Sequence, residues 1–179
     1  SLHRPKIVVG KQYRDEKISL KPGAVNETLS GPQEKVIRSL SMWKSLGHDE
    51  PTREMVAAVA GYRMSGGFAT LLSTLKTPGL INYPSAGKIS LGSMSLPMTE
   101  EEGARMLRGT LNGPQHQVLM ALHFNTMTRQ ELAEKTGRQM SGGFATLLST
   151  LKTPGLIEYP SSGLVKRSDW VNKIIGAMQ

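Results

Sequence analysis

Few side chains in this 179-residue chain could carry catalytic or metal chemistry. The four histidines lack carboxylates at the spacing of a metal site, and the chain has no cysteine. No Gly-x-Ser-x-Gly sequence marks a nucleophilic serine. The string nearest to a Walker A loop, Gly87-Lys88-Ile89-Ser90, lacks a serine or threonine directly after its lysine. We therefore expect no enzymatic activity, no cofactor and no metal ion. The histidines are His3, His48, His116 and His123.

The chemistry that the sequence does favour is anion binding at the start of a helix. Ser65-Gly66-Gly67 and Ser141-Gly142-Gly143 each precede a helical pattern, so their amides would be free to meet phosphates. The outward face of that helix is small and hydroxylic, without the arginine, asparagine or glutamine that reads bases. We expect backbone binding with weak sequence preference. The candidate nucleic-acid-binding residues are Arg63, Ser65, Gly66, Thr70, Thr74, Lys76 and Lys88, and then Arg138, Gln139, Ser141, Gly142, Thr146, Thr150, Lys152, Lys166 and Arg167.

These candidates belong to an internal repeat. The stretch Met64–Ile81 occurs again, letter for letter, as residues 140–157. The match continues as Tyr-Pro-Ser-x-Gly in both copies, from Tyr83 and from Tyr159. A repeat with a fixed offset indicates a duplicated structural unit, and two copies are too few for a solenoid. The sequence therefore predicts one small domain duplicated in tandem.

The repeat predicts a helix followed by two short strands. Ser65 is a favoured N-cap residue, and Phe68, Leu71, Leu72 and Leu75 then recur on one helical face. Thr77-Pro78-Gly79 ends the helix. A short apolar strand, a Pro-Ser-x-Gly turn and an alternating strand follow. This order is typical of the second half of a winged helix-turn-helix unit.

The first half of such a unit lies upstream in both copies. Gly-Pro-Gln opens a first helix at Gly31 and at Gly113. Thr52 and Thr128 cap the second helix, and the short turn after it leads into the repeated helix. We assign 1–30 to a basic arm or linker, 31–92 to unit 1, 93–112 to a linker helix, 113–168 to unit 2 and 169–179 to a C-terminal helix.

Together these motifs resemble winged-helix domains. The shared elements are Gly-Pro-Gln-x-x-Val, a helix from Thr-Arg to Gly, Ser-Gly-Gly-Phe-x-x-x-Leu-x-x-Leu and Gly-Leu-Ile-x-Tyr, over about residues 31–168. The tandem Ser-Gly-Gly-Phe form is similar to C-terminal modules of some prokaryotic and phage helicase-like ATPases. The resemblance implies a mainly α fold with small β wings, arranged as two tandem winged helix-turn-helix domains. It also implies that any ATPase part would lie upstream of Ser1.

Net charge narrows the choice of partners. The chain carries +8 at pH 7, which favours nucleic acid or another polyanion as the partner. We expect a module that binds duplex DNA and is part of a larger protein. The alternative is a protein–protein docking module that uses the same faces, because fold alone does not settle function.

The C-terminal helix carries an apolar stripe that packs on its own domain or forms a homodimer contact. The stripe consists of Trp170, Val171, Ile174, Ile175 and Met178. No apolar run could span a membrane, so we expect an intracellular protein, cytoplasmic or in the nucleoid or nucleus.

Overall fold

The computed structural model of the protein describes residues 29–94 and 96–179. The predicted basic arm, residues 1–30, lies almost wholly outside them. The described chain is mainly helical with small antiparallel sheets, as predicted, and contains eight helices and five short strands. It divides into two compact units, Ser1–Leu107 and Arg108–Gln179. Within the described part, every helix is too short or too polar to traverse a lipid bilayer.

The first unit places three helices before a two-stranded antiparallel sheet. Ile81 lies opposite Leu91 in that sheet, and an isolated bridge joins Thr52 to Lys88. The elements are α1 (Gly31–Ser45), α2 (Arg53–Ala60), α3 (Gly66–Lys76), β1 (Ile81–Asn82) and β2 (Ser90–Leu91). The next helix, α4 (Glu100–Thr110), begins in the first unit and ends in the second, because the boundary between the units follows Leu107.

Local capping explains where these helices begin. Ser30, Thr52 and Ser65 each accept a hydrogen bond from the amide three residues on, which satisfies one of the unpaired donors of the first turn. Gly61 ends α2 in the left-handed conformation, φ 81°, which glycine adopts without steric cost. The capping residues read from the sequence are therefore confirmed at the start of α2 and of α3.

The core of the first unit is the apolar side of its three helices. Phe68, Leu72 and Leu75 of α3 are buried, together with Val36, Ile37 and Leu40 of α1. Trp43 is also fully buried, and its indole Nε1 donates to the Met55 carbonyl at 2.9 Å. Burying an indole without a partner would be costly, so this bond fixes α1 against α2.

The predicted linker helix packs against the first unit. Thr99 and Glu102 cap each other at its start, as the sequence pattern predicts. Gly103, Ala104 and Leu107 are buried, and a β-carbon on Gly103 would collide with the Ser45 hydroxyl. Close approach of α4 to the end of α1 therefore requires glycine at this position.

The second unit repeats this order and adds one strand. Its three-stranded sheet has the order β3-β5-β4, with both pairs antiparallel. Ile157 lies opposite Arg167, the same pairing as Ile81 with Leu91 76 residues earlier. The elements are α5 (Gly113–Leu122), β3 (Met127–Thr128), α6 (Arg129–Lys135), α7 (Gly142–Lys152), β4 (Ile157–Glu158), β5 (Leu164–Arg167) and α8 (Asp169–Met178).

The C-terminal helix α8 buries its apolar stripe in its own unit. Val171, Ile174, Ile175 and Met178 are all buried. The Met178 carbonyl lies 3.0 Å from Nε2 of His116 on α5, which holds the end of α8 in place. Four of the five stripe residues are therefore buried, and Trp170 is half-buried. The homodimer contact that the sequence left open stays a prediction.

Candidate nucleic-acid interface

The outward surface of the repeated helix is small and exposed in both units. We call it the small-residue face: Gly66, Gly67, Ala69, Thr70 and Ser73 on α3, and Gly142, Gly143, Ala145, Thr146 and Ser149 on α7. All ten residues are exposed, whereas Phe68 and Phe144 on the opposite side are buried. The predicted candidates Ser65, Ser141, Thr74 and Thr150 are exposed beside this face.

The threonine hydroxyls are engaged by the helix itself. Thr70 Oγ1 donates to the Gly66 carbonyl at 3.0 Å, and Thr146 makes the equivalent bond at 2.9 Å. Thr74 and Thr150 donate to carbonyls three residues back, both at 2.6 Å. Because a hydroxyl has one proton, these side chains can still accept hydrogen bonds but cannot donate to a phosphate in this conformation. Their role in nucleic-acid binding stays a prediction, and in this conformation they would meet a ligand as hydrogen-bond acceptors.

The start of the helix leaves backbone donors exposed. Ser65 Oγ accepts from the Phe68 amide, and no described residue accepts from the amides of Gly66 and Gly67. A β-carbon on Gly66 would meet nothing within 4 Å, so neighbouring residues do not require glycine there. Unpaired amides at the positive end of a helix are suited to an approaching anion.

A glutamine that the sequence reading missed holds the repeated helix in place. Gln33 closes the capping box of α1 and also donates from Nε2 to Thr74 Oγ1 at 3.2 Å. Gln115 makes the same two contacts in the second unit, with Thr150 at 3.0 Å. The signal in the sequence is the Gly-Pro-Gln motif that opens both copies.

A tyrosine directly after β1 and another directly after β4 each have two cations near the ring. The Tyr83 ring centre is 5.0 Å from the Arg53 guanidinium and 5.8 Å from the Lys76 ammonium. The Tyr159 ring is 4.9 Å from Arg129 and 5.8 Å from Lys152. We call these sets the tyrosine clusters: Arg53, Lys76 and Tyr83 in the first unit, and Arg129, Lys152 and Tyr159 in the second. Sequence reasoning found only their lysines.

The arginines of the tyrosine clusters are held by the turns between β1 and β2 and between β4 and β5. The Arg53 amide donates to the Gly87 carbonyl at 3.0 Å, and the Arg129 amide donates to that of Gly163 at 3.2 Å. Both glycines have positive φ, 73° and 76°, which the turn requires. The Thr-Arg start of the second helix and the Tyr-Pro-Ser-x-Gly turn are the sequence signals for this contact.

The remaining predicted cations differ between the units. Arg63, beside the start of α3, is exposed, and Lys88, in the turn between β1 and β2, is half-buried. Arg138 is half-buried and donates to Gln117 Oε1 at 3.4 Å, while Gln139 is exposed. Lys166 lies 3.6 Å from both Glu158 and Asp169, so two acids already compensate its charge.

Arg167 is not a surface residue, which corrects the prediction that it binds nucleic acid. Only 3% of it is exposed. Its Nη1 donates to the Leu119 carbonyl at 2.9 Å, and its Nε donates to Asn172 Oδ1 at 2.6 Å. The guanidinium caps the last turn of α5, where a cation is favourable. Alternation along β5 places it on the same side as buried Val165.

Comparison with known protein families, curated proteins and solved structures found no match to this chain. The function of the site must therefore be inferred from its geometry alone. Within residues 29–94 and 96–179, no group of three or more histidines or carboxylates is placed to hold a metal ion. A shallow cavity of about 550 Å³ lies beside the end of α5 and is lined by Met120, Ala121, His123, Asn125 and Lys135.

One apolar residue stands out beside each small-residue face. Met64 is 50% exposed and Met140 is 57% exposed, each directly before the N-cap serine of its helix. Exposed methionines at matched positions are typical of adaptable protein-binding surfaces. This feature favours the alternative of protein docking.

Proposed function

We propose that the chain is a non-catalytic module of two tandem winged helix-turn-helix units that binds duplex DNA through its backbone, within a larger protein. The order of three helices followed by an antiparallel strand pair supports the winged-helix interpretation of each unit. The identical strand register, 76 residues apart, supports a duplication.

The observation that carries the proposal is a small-residue face bordered by cations, built twice. No ion pair among the described residues engages Arg63, Lys76 or Lys88 in the first unit, or Arg138 and Lys152 in the second. Arg63 and Arg138 shortly precede the exposed helix amides, whereas Lys76 and Lys152 lie in the last turn of the same helices. Unneutralised cations at these positions are suited to phosphates, whose charge dominates nonspecific binding.

Weak sequence preference follows from the same face. A recognition helix reads bases with side chains that reach the groove edges, most often arginine, asparagine or glutamine. On α3 and α7 these positions are glycine, alanine, serine and threonine, and the threonine protons are committed to the helix. The face therefore positions the units on DNA and contributes little base reading.

A salt titration tests this function. The full chain would be titrated with two labelled duplexes of equal length and unrelated sequence, with anisotropy as the readout. We expect similar affinities and a fall of log K with log salt of slope about −3 to −5, at roughly 0.9 per neutralised phosphate. A slope near zero, or binding restricted to one duplex, would contradict the proposal.

Protein docking remains the second candidate because of the exposed methionines. If Met64 and Met140 serve a protein partner, replacing both with serine should abolish that contact without changing DNA affinity. If the faces serve DNA, the same double variant should bind both duplexes within about twofold of the unmodified chain. Loss of duplex binding in the methionine variant would show that the face contacts DNA through apolar side chains.

A further inference from the structure

Each tyrosine cluster gathers two positive charges around one aromatic ring. Both cations in each cluster lie within 6 Å of the ring centre, the range of a cation–π contact. None of the four cations takes part in an ion pair between described residues. Two like charges on one ring repel each other, and a shared anion would relieve that repulsion.

The arginines of the clusters also carry an unused donor. Nε of Arg53 and Nε of Arg129 are buried and have no hydrogen-bond partner among the described residues. A buried donor without a partner is costly, and this one is attached to a charged group. The same unpaired donor occurs in both units, so it is a feature of the geometry that the two clusters share.

We propose that each tyrosine cluster is a binding site for one phosphodiester group, with the tyrosine ring positioning the arginine and lysine. The arginine offers a planar fork of donors to two phosphate oxygens, and the lysine supplies a point charge. The inference rests on the proposed function, since the phosphodiester is that of the bound duplex. It adds Arg53, Arg129, Tyr83 and Tyr159 to the interface.

The test separates the ring from the charges. Changing Tyr83→Leu with Tyr159→Leu removes both rings and no charge, whereas Tyr83→Phe with Tyr159→Phe keeps the ring and its negative face. Arg53→Ala with Arg129→Ala removes two cluster charges. Lys44→Ala with Lys173→Ala removes two exposed charges on α1 and α8 and serves as the matched control. All variants are full chains, checked for folding by circular dichroism.

The ring variants carry the decisive result. We expect the leucine pair to weaken duplex binding about five- to 25-fold, because the arginine and lysine side chains freed from the rings must then be ordered on binding. The phenylalanine pair should stay within about twofold. The arginine pair should lower the salt slope by about 2, and the lysine control should leave it unchanged. In the unmodified chain, duplex should shift the NMR signals of the Nε–H groups of Arg53 and Arg129.

The alternative outcomes distinguish the inference from the function. If the unmodified chain binds duplex with a steep salt slope but the leucine and arginine pairs behave like the lysine control, the clusters are not phosphate sites and the proposed function stands. If the unmodified chain does not bind duplex at all, both fall. If the leucine pair fails to fold, unshifted Nε–H signals would still overturn the inference.

Discussion

At the scale of single residues, Arg167 shows that burial determines whether an arginine contributes to binding or to folding. The residue at the same register in the first unit is Leu91, on β2. Helix α1 continues to Ser45, whereas α5 ends at Leu122 and leaves the Leu119 carbonyl near its end. Arg167 donates to that carbonyl, so its charge serves the fold.

Replacing Arg167 should therefore change stability and leave DNA binding intact. Arg167→Leu removes the donor to the Leu119 carbonyl and to Asn172 Oδ1, so we expect a loss of about 1–3 kcal/mol in unfolding free energy. Duplex affinity of the folded variant should equal that of the unmodified chain. Urea unfolding and anisotropy measure the two effects. Lys173→Leu, an exposed control, should change stability by no more than about 0.5 kcal/mol, and a weakened duplex affinity in Arg167→Leu would return Arg167 to the interface.

Other single residues were predictable because their role is local. Ser65 and Thr52 cap their helices as expected, since a cap depends on residues a few positions away. The Tyr83–Arg53 contact was not predictable in the same way, because it depends on how the turn between β1 and β2 meets α2. Arg167 lies between these cases, because alternation along β5 and the equivalence to Leu91 both signal burial.

At the scale of elements, the turn between α1 and α2 contains a pH-sensitive contact. The His48 ring packs edge-on against Trp43, with 5.6 Å between ring centres. Burial, and secondarily the charge of Lys88, lowers the pKa of His48 below its usual value of 6.5. The unfolded chain therefore binds the proton first as pH falls, so stability is fully present above pH 6.5 and declines below it.

Removing His48 should flatten this pH dependence. Unfolding free energies of the unmodified chain and of His48→Gln would be compared in urea at pH 7.5, 6.5 and 5.5. We expect the unmodified chain to lose more stability than the variant between pH 6.5 and 5.5. Equal losses in the two proteins would mean that His48 titrates alike in the folded and unfolded states.

In the first turn of the repeated helix, the same substitution should raise stability and weaken DNA binding. Gly66 and Gly142 have open space where a methyl would lie, so alanine should stabilise each helix by up to about 1 kcal/mol. A Cα–Cβ bond tilts toward the helix N-terminus, so each methyl would lie where a phosphate approaches the amides. We expect Gly66→Ala with Gly142→Ala to raise the unfolding free energy and weaken duplex binding.

The matched control for this variant is Gly176→Ala. Gly176 is exposed on α8 and also has open space at its β-carbon. It should gain stability without losing affinity. Unchanged duplex affinity in the Gly66 and Gly142 variant would remove the helix amides from the proposed interface. Thermal unfolding and anisotropy on the same samples provide both readouts.

At the scale of the whole molecule, the repeat explains why the coarse fold was predictable. The predicted mainly helical chain with small antiparallel sheets is confirmed. It was predictable because apolar residues recur at helical spacing in both copies, as Phe68, Leu72 and Leu75 do in the first. A glycine with positive φ, Gly79 or Gly155, then follows the end of the helix. The charges around the repeated helix were less predictable. Asn82 in the first unit becomes Glu158 in the second, and only the folded sheet places Glu158 beside Lys166.

That difference in charge predicts which cations govern the salt dependence of the whole chain. Lys152 has no acidic partner among the described residues, whereas Lys166 is compensated by Glu158 and Asp169. Lys152→Ala should therefore lower the salt slope by about 0.9, and Lys166→Ala should lower it much less, since a paired cation gains little on meeting a phosphate. Both variants remove one charge, so each is the control for the other. Duplex titrations between 50 and 200 mM salt measure the slopes. If Lys166→Ala reduces the slope as much as Lys152→Ala, DNA displaces Glu158 and Asp169, and β5 belongs to the interface after all.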